Sequence, residues 1–396
     1  MRRILLAAPT ALLLFILPFP ATVALRLLCL ALAFVIALSQ YVQLLRNGAA
    51  PPWPCKLPFV LWAAVAAVSL AYAVDPAYSA AEVKNEIGYT MMAFVSFFVL
   101  TREDADLRDH LLALAAGAAL LCIWILAMRF ATGTWNESAG HGGRGIFATY
   151  AVTLLPLLIL LALYFDARWQ RVAALLLLVL LLLTAIYSQQ RIIWAAMAAQ
   201  AAIAFWLLRR GGILRLSKGD TLVATVAVVL IAGGGFFVTQ LLRFNEYGAS
   251  AVTISGDIRT EQAGAIVTRI LDRPLSGAGF GRQAMSKANR DLIPASNPLL
   301  WHAHNSFLNY GLSMGLPGVA VLLFVFLCLL RQYWKFAGHS DHKLQLIGAA
   351  GMALVAGVFL RNQVNDFFMR DMAILFWALN GALLGLGSRI QRLHSA

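Results

Sequence analysis

Two histidines and an amide stand at the start of an apolar segment, in the run Trp301-His302-Ala303-His304-Asn305. An unperturbed imidazole has a pKa of about 6.5, which makes histidine the side chain best suited to accept a proton at neutral pH. On a helix, residues two apart point in different directions, so these two histidines are not expected to bind one metal ion. We therefore predict that His304 is a general base, supported by His302 and Asn305. A plain polar residue at the membrane interface is the alternative.

Arginines supply the second part of the predicted chemistry. Arg191 ends the short polar link 188–191 between two apolar segments, where it either snorkels to the interface or binds an anion in a cavity. Arg259 lies in the stretch 256–271, whose pattern predicts an amphipathic helix on the membrane surface or over a cavity. Because a guanidinium forms bidentate hydrogen bonds with phosphate, both arginines are candidates for a phosphate site. The other basic residues of this loop, Arg282 among them, are expected to face lipid headgroups.

A further polar group, from Arg361 to Asp366, separates two late apolar segments. Asp366 is a candidate to orient an imidazole or to bind a sugar hydroxyl, and pairing with an arginine is an equal alternative. Arg361 is a supporting candidate. Two other motifs carry weaker signals: the acidic pair in 104–106 is interpreted as a solvated charge run, and the glycine-rich run 277–281 as a flexible turn.

The surroundings of these polar residues are strongly apolar. The chain has 396 residues, of which 61% are hydrophobic and only 12% charged, and its mean hydropathy is +0.77. A water-soluble core cannot hide so much apolar surface. Apolar runs of about 17 to 25 residues fit membrane-spanning helices and lack the alternation of barrel strands. The net charge of +13 lies mostly at the ends of these runs, which predicts topology signals and headgroup contacts and argues against nucleic-acid binding.

The sequence thus predicts an all-α polytopic membrane protein with about twelve transmembrane helices. Helices one to nine are predicted in residues 1–242, a loop that caps the active site in 243–302, and helices ten to twelve in 303–396. The Lys and Arg residues of the short loops favour cytoplasmic termini. His304, Arg191 and the long loop then share the opposite face, which is the periplasmic or outer face.

The polar motifs resemble those of a known family. His304-Asn305, nine further residues and the run from Gly315 to Gly318 resemble the H-N-x9-G-x-x-G signature of the O-antigen ligase family. Arg259 and the stretch 272–281 resemble that family's large periplasmic loop, and Arg191 resembles its arginine at a transmembrane-helix end. The resemblance covers most of the chain in layout, whereas the specific motifs cover a small part of it.

This resemblance implies a GT-C-like, metal-independent, inverting membrane glycosyltransferase without a cofactor. Such an enzyme transfers O-antigen polysaccharide from undecaprenyl pyrophosphate to the lipid A-core oligosaccharide, in the bacterial inner membrane, with the active site facing the periplasm. His304 would take the proton from the acceptor hydroxyl, while Arg191 and Arg259 would bind the pyrophosphate. The expected partners are these two substrates and membrane lipids.

Other functions are compatible with the same motifs. O-antigen polymerases and protein O-oligosaccharyltransferases resemble the same family in layout and donor, and they differ in the acceptor. A different class is a flippase or transporter for lipid-linked glycans, which would use arginines for binding and no base. Replacing His304 would spare translocation by such a protein, whereas replacing Arg191 would abolish it.

Overall fold

The structure is a computed structural model, and it describes residues 2–135, 143–248, 258–293, 295, 301–366 and 370–395. In these ranges every regular element is helical, and no strand occurs. Nine helices of the described ranges are long and apolar enough to cross a membrane. The prediction of an all-α polytopic membrane protein is therefore confirmed.

The helices follow one another along the chain, and the longest connection joins α13 to α14. The elements of the first half are α1 (Arg2–Ile16), α2 (Val23–Arg46), α3 (Lys56–Val68), α4 (Pro76–Glu82), α5 (Tyr89–Leu100), α6 (Asp104–Thr132), α7 (Arg144–Leu154), α8 (Leu157–Leu163) and α9 (Arg168–Ser188). The second half contains α10 (Ile192–Arg210), α11 (Lys218–Tyr247), α12 (Ile258–Asp272), α13 (Ala284–Ala288), α14 (Ser306–Ala337), α15 (His342–Arg361) and α16 (Arg370–Ser395). A π-helical turn, Val83–Gly88, joins α4 to α5.

All twelve predicted apolar segments are helical, and one of them, at about 145–165, is divided between α7 and α8. However, α1, α3 and α5 contain 15, 13 and 12 residues, which is short for crossing roughly 30 Å of hydrocarbon. The count of twelve spans therefore stays a prediction. The helix α11 runs past the predicted start of the long loop at residue 243 and ends at Tyr247.

The helices differ widely in how much of their surface is buried against other helices. In α16, 89% of the apolar stretch is buried inside the protein, where Trp377 packs against Phe94 of α5 and Phe59 of α3. In α11, only 6% of the apolar stretch is buried. The core of the bundle thus lies around α5, α14, α15 and α16, whereas α11 sits at the periphery against α9 and α10.

Local sequence explains where α14 begins and bends. Asn305 is its N-cap, and the side-chain oxygen accepts from the N–H groups of Phe307 and Leu308 at 2.8 and 3.1 Å. Gly315 has a φ of 70°, and Pro317 follows within the same helix. Because proline removes an N–H and glycine tolerates positive φ, this pair breaks the helical path. The N–H of Leu316 donates instead to the carbonyl of Pro274 at 2.7 Å, which ties the long loop to α14.

The long loop is folded onto α14. The predicted amphipathic helix is confirmed as α12, and its buried residues Ile266 and Ile270 pack in one cluster with Leu312. The glycine-rich run that follows is a turn but is not loose. The N–H groups of Ala278 and Gly279 donate to carbonyls of α14 at 2.9 and 3.0 Å. The expectation of a flexible turn is wrong, because this turn is tightly packed against its neighbours.

Candidate functional site

Three connecting segments meet where α14 begins and α15 ends. They are residues 301–305 before α14, residues 361–366 after α15, and Arg282 after the glycine-rich turn. Ser306 joins the first two segments: its N–H donates to the carbonyl of Asn362 at 2.9 Å, and its hydroxyl donates to the Asn362 side chain at 3.0 Å. Asn305 donates through Nδ2 to the carbonyl of Gln363 at 3.1 Å. These bonds fix the predicted motif against the end of α15.

A buried acid, an imidazole and a guanidinium form the centre of this site. Arg282 Nε donates to Asp366 Oδ2 at 2.9 Å, and Arg282 Nη2 lies 2.8 Å from Asp366 Oδ1. Asp366 Oδ1 is also 3.0 Å from His302 Nδ1. The side chains of Asp366 and His302 are 3% and 5% exposed. Of the roles considered for Asp366, orienting an imidazole and pairing with an arginine both fit this geometry.

The contacts of His302 define its tautomer. Arg282 Nη2 lies 2.8 Å from His302 Nε2, and a guanidinium can only donate. Nε2 is therefore the acceptor, and the proton of a neutral ring sits on Nδ1, which lies 3.0 Å from Asp366 Oδ1. The backbone N–H of His304 is 3.2 Å from the same Nδ1, but a protonated nitrogen cannot accept it. Both ring nitrogens of His302 are thus engaged within the protein.

The carboxyl of Asp366 stays ionised in this setting. It lies in the connection between α15 and α16, outside the spanning helices. Burial alone would raise the pKa of Asp366, but the contacts with the His302 imidazole and with the guanidinium of Arg282 outweigh it, and the net pKa lies below its ordinary value. A charged carboxylate here offsets the positive charge of Arg282.

His304 takes up an unusual backbone conformation beside His302. Its φ is 47°, in the left-handed region, and its side chain is half-buried. The two imidazole rings face each other with centroids 3.7 Å apart at an angle of 37°. The prediction that both histidines lie on a helix is wrong, because α14 begins only at Ser306. The left-handed residue turns the chain so that the rings stack.

Arg361, the remaining supporting candidate, links this site to a second polar cluster. It is buried at the end of α15, and its Nη2 donates to the carbonyl of Gly145 at 3.1 Å. The neighbouring Arg144 donates through Nη1 to Gln189 Oε1 at 2.7 Å and through Nη2 to Glu246 Oε1 at 2.9 Å. The ends of α7, α9, α11 and α15 therefore meet.

The predicted phosphate-binding arginines occupy different elements. Arg191 is half-buried in the turn between α9 and α10, two residues beyond Gln189. Arg259 lies in the first turn of α12, but its side chain lies outside the described part of the structure. The role of Arg259 in binding pyrophosphate therefore stays a prediction.

A small acidic cavity adjoins the site. Glu82 and Glu86, one helical turn apart, line about 30 Å³ of space together with Arg282, Asn309 and Asp366, which is enough for a water molecule. Glu86 precedes the apolar run of α5. Burial and the nearby Glu82 raise the pKa of Glu86 to about 8. At neutral pH this side chain is mostly protonated, so it can donate as well as accept a hydrogen bond.

Four residues of these clusters are not among the predicted site residues: Arg282, Glu82, Glu86 and Arg144. The prediction that Arg282 faces lipid headgroups is wrong, because its guanidinium contacts both Asp366 and His302. The signal that could have revealed it is the preceding glycine run, since Gly279 and Gly281 have positive φ and leave no room for a Cβ beside Ser79 and Tyr78. Such close approach fixes the following residue. The acidic pair Glu82 and Glu86 and the partner Arg144 gave no comparable signal.

The fold and the site together define a class: a polytopic all-α membrane protein with a polar, partly buried site where several helix ends meet. A sequence model of the family described as O-antigen ligase matches residues 176–323. The matched region is just over a third of the chain, runs from α9 into α14, and contains Arg191, Arg259 and both histidines of the motif. The resemblance to the O-antigen ligase family is thereby confirmed. No curated protein matches the chain.

Proposed function

We propose that this protein is a membrane glycosyltransferase that transfers O-antigen polysaccharide from undecaprenyl pyrophosphate to the lipid A-core oligosaccharide. The reaction takes place on the periplasmic face of the bacterial inner membrane, with both termini in the cytoplasm. The observation that carries the proposal is the buried group of Asp366, His302 and Arg282, with His304 stacked on it at the mouth of α14. The matching region of the O-antigen ligase family supports the same assignment.

In the proposed mechanism, His304 is the general base. His302 is unsuited to this role, because its two ring nitrogens are held by Asp366 and Arg282. His304 is half-buried and can face a substrate. It takes the proton from the acceptor hydroxyl as the hydroxyl oxygen attacks the anomeric carbon, and the bond to pyrophosphate breaks with inversion. The carboxylate of Asp366 neutralises the positive charge of Arg282. The positive charge that develops on His304 when it takes the proton is therefore not repelled by an uncompensated guanidinium.

In this proposal the arginines bind and stabilise the leaving group. The bond to the anomeric carbon breaks with negative charge moving onto pyrophosphate, and guanidinium groups at the site of developing charge lower the barrier. Arg191 and Arg259 are the proposed ligands, by their resemblance to the family's arginines. No metal or other cofactor is proposed for the reaction.

An apolar groove supports a lipid-linked donor. It encloses about 200 Å³ between α8, α9, α10 and α11, and its lining includes Leu155, Leu178, Leu182, Met197 and Ile231. The same helices carry Arg191 and Gln189 at one end. A substrate with a long isoprenoid chain and a pyrophosphate head matches this combination of an apolar groove between the helices and a basic group at their end.

The experiment is reconstitution of the purified protein in liposomes with an undecaprenyl-pyrophosphate-linked glycan and rough lipopolysaccharide, without metal or ATP. We expect glycan-bearing lipopolysaccharide from the wild type and a loss of at least about 100-fold in rate for His304→Ala. Elongated lipid-linked glycan without ligation would identify a polymerase, and glycosylated protein would identify an oligosaccharyltransferase. Transbilayer movement that survives in His304→Ala, with no product formed, would identify a flippase.

A further inference from the structure

The helix α11 is held to the bundle in an uneven way. Most of its length faces lipid, and only 6% of its apolar stretch is buried. Its 30 residues exceed what is needed to cross the hydrocarbon by several turns. The end of α11, from Arg243 to Glu246, therefore lies beyond the apolar layer, where polar contacts decide how firmly the helix stays docked.

A polar network fastens this end of α11. Glu246 Oε1 accepts from Arg144 Nη2 at 2.9 Å, and Glu246 Oε2 accepts from Gln189 Nε2 at 2.5 Å. Arg144 Nη1 donates to Gln189 Oε1 at 2.7 Å, and Arg243 Nη1 donates to the carbonyl of Gln189 at 3.4 Å. A single carboxylate thus receives hydrogen bonds from α7 and from the turn after α9.

The turn at residues 188–191 contains Arg191, and its Gln189 accepts hydrogen bonds from Arg144 and Arg243. Three arginines therefore lie in or beside this turn. A guanidinium donates to carboxylate and phosphate oxygens with the same planar geometry. The Arg144 side chain is 14% exposed and that of Glu246 is 31% exposed. Arg144 is therefore the more shielded partner of this ion pair, and Glu246, at the end of a peripheral helix, is the more exposed one.

We propose that Glu246 occupies, in the absence of substrate, a phosphate position formed by Arg144, and that the pyrophosphate of the lipid-linked donor displaces it. Arg144 then becomes a further ligand of the donor, beside Arg191. The displaced carboxylate releases the end of α11 and opens the apolar groove that α11 partly covers, so that the isoprenoid chain enters from the bilayer. This inference rests on the proposed function, because it concerns the same donor.

The first test measures binding of undecaprenyl pyrophosphate, without any glycan acceptor, to the purified full-length protein in nanodiscs. Removing the competing charge with Glu246→Gln should tighten binding about fivefold, since a partly exposed ion pair contributes roughly 1 kcal/mol. Arg144→Ala should weaken binding by at least about tenfold, because a charge-assisted hydrogen bond is lost. Undecaprenyl monophosphate should show a smaller gain with Glu246→Gln, since it presents fewer oxygens.

The second test follows the end of α11 by hydrogen exchange of residues 240–248. Addition of undecaprenyl pyrophosphate should speed exchange there in the wild type, and Glu246→Gln should exchange faster before any lipid is added. Arg209→Ala is the matched control, because Arg209 joins α10 to α11 at the opposite end through Thr221 at 2.9 Å. It should leave lipid affinity unchanged.

The outcomes separate this inference from the proposed function. Equal or weaker lipid binding by Glu246→Gln, or unchanged binding by Arg144→Ala, would overturn the displacement of Glu246. If the wild type still ligates glycan to lipopolysaccharide, the proposed function survives that result. If the wild type neither ligates glycan nor binds undecaprenyl pyrophosphate, both the proposed function and this inference are refuted.

Discussion

Replacing Asp366 by asparagine is the sharpest perturbation of the candidate site. The substitution preserves the size of the side chain and one acceptor oxygen, but it removes the charge that Arg282 and His302 share. Asp366 is 3% exposed, and Arg282 is 16% exposed, so solvent cannot replace the lost partner. The change therefore tests electrostatics and orientation without opening a cavity.

The expected magnitude follows from the contacts. Arg282 approaches the two carboxylate oxygens at 2.9 and 2.8 Å, and removing one partner of a buried ion pair costs about 3 to 5 kcal/mol of folding free energy. The amide keeps part of this interaction, so we expect about 3 kcal/mol. Loss of the oriented His302 on which His304 stacks should lower the maximal ligation rate by about 100- to 1,000-fold. The KM for the lipid-linked donor should change little.

The assay combines steady-state ligation in liposomes with thermal melts in detergent. Asp371→Asn is the matched control, because Asp371, at the start of α16, pairs with the buried Arg26 and not with Arg282. That variant should lose stability while keeping its ligation rate per folded molecule. Turnover of Asp366→Asn within about threefold of the wild type would refute the idea that this carboxylate orients the base.

Three further predictions concern neighbouring features. Because the pKa of Glu86 is raised from its ordinary 4.5 to about 8, folding stability should fall as pH rises through this window, when the unfolded carboxyl ionises first. The melting temperature of Glu86→Gln should therefore rise relative to that of the wild type between pH 4.5 and 8. A difference in melting temperature that does not change with pH would contradict the raised pKa of Glu86. Gly279→Ala should destabilise the protein by more than about 2 kcal/mol in the same melts, because φ is 97° and the new Cβ would lie 2.4 Å from the Cβ of Ala73. A melting temperature equal to that of the wild type would contradict the tight packing of this turn. Asn305→Ala should cost about 1 kcal/mol through loss of the α14 cap, and Asn305→Asp, tested by the same melts, should restore most of it.

Much of the architecture could be predicted because a membrane imposes a simple rule on sequence. A helix that crosses hydrocarbon must satisfy its own backbone and carry apolar side chains along its whole length. Long apolar runs such as 306–337 and 370–395 are therefore visible without any knowledge of their neighbours. The amphipathic α12 was found for a similar local reason, since its apolar face repeats with the helical period.

The site was only partly predictable, because its contacts join distant parts of the chain. The pairing of Asp366 with Arg282 spans 84 residues, and no local pattern distinguishes Arg282 from the other basic residues of the loop. The arrangement of the two histidines depended on where α14 begins. Asn305 caps that helix at Ser306, so His302 and His304 follow loop geometry and not the helical spacing that the sequence argument assumed.

The left-handed backbone of His304 has a consequence for how this site is preserved. At a φ of 47°, a residue with a Cβ carries a strain of roughly 1 to 2 kcal/mol that glycine would not. Selection for stability alone would therefore place glycine at this position. Under the proposed function, a histidine held there exchanges some stability for reactivity, because the chain tolerates a strained backbone to keep an imidazole stacked at the mouth of the bundle.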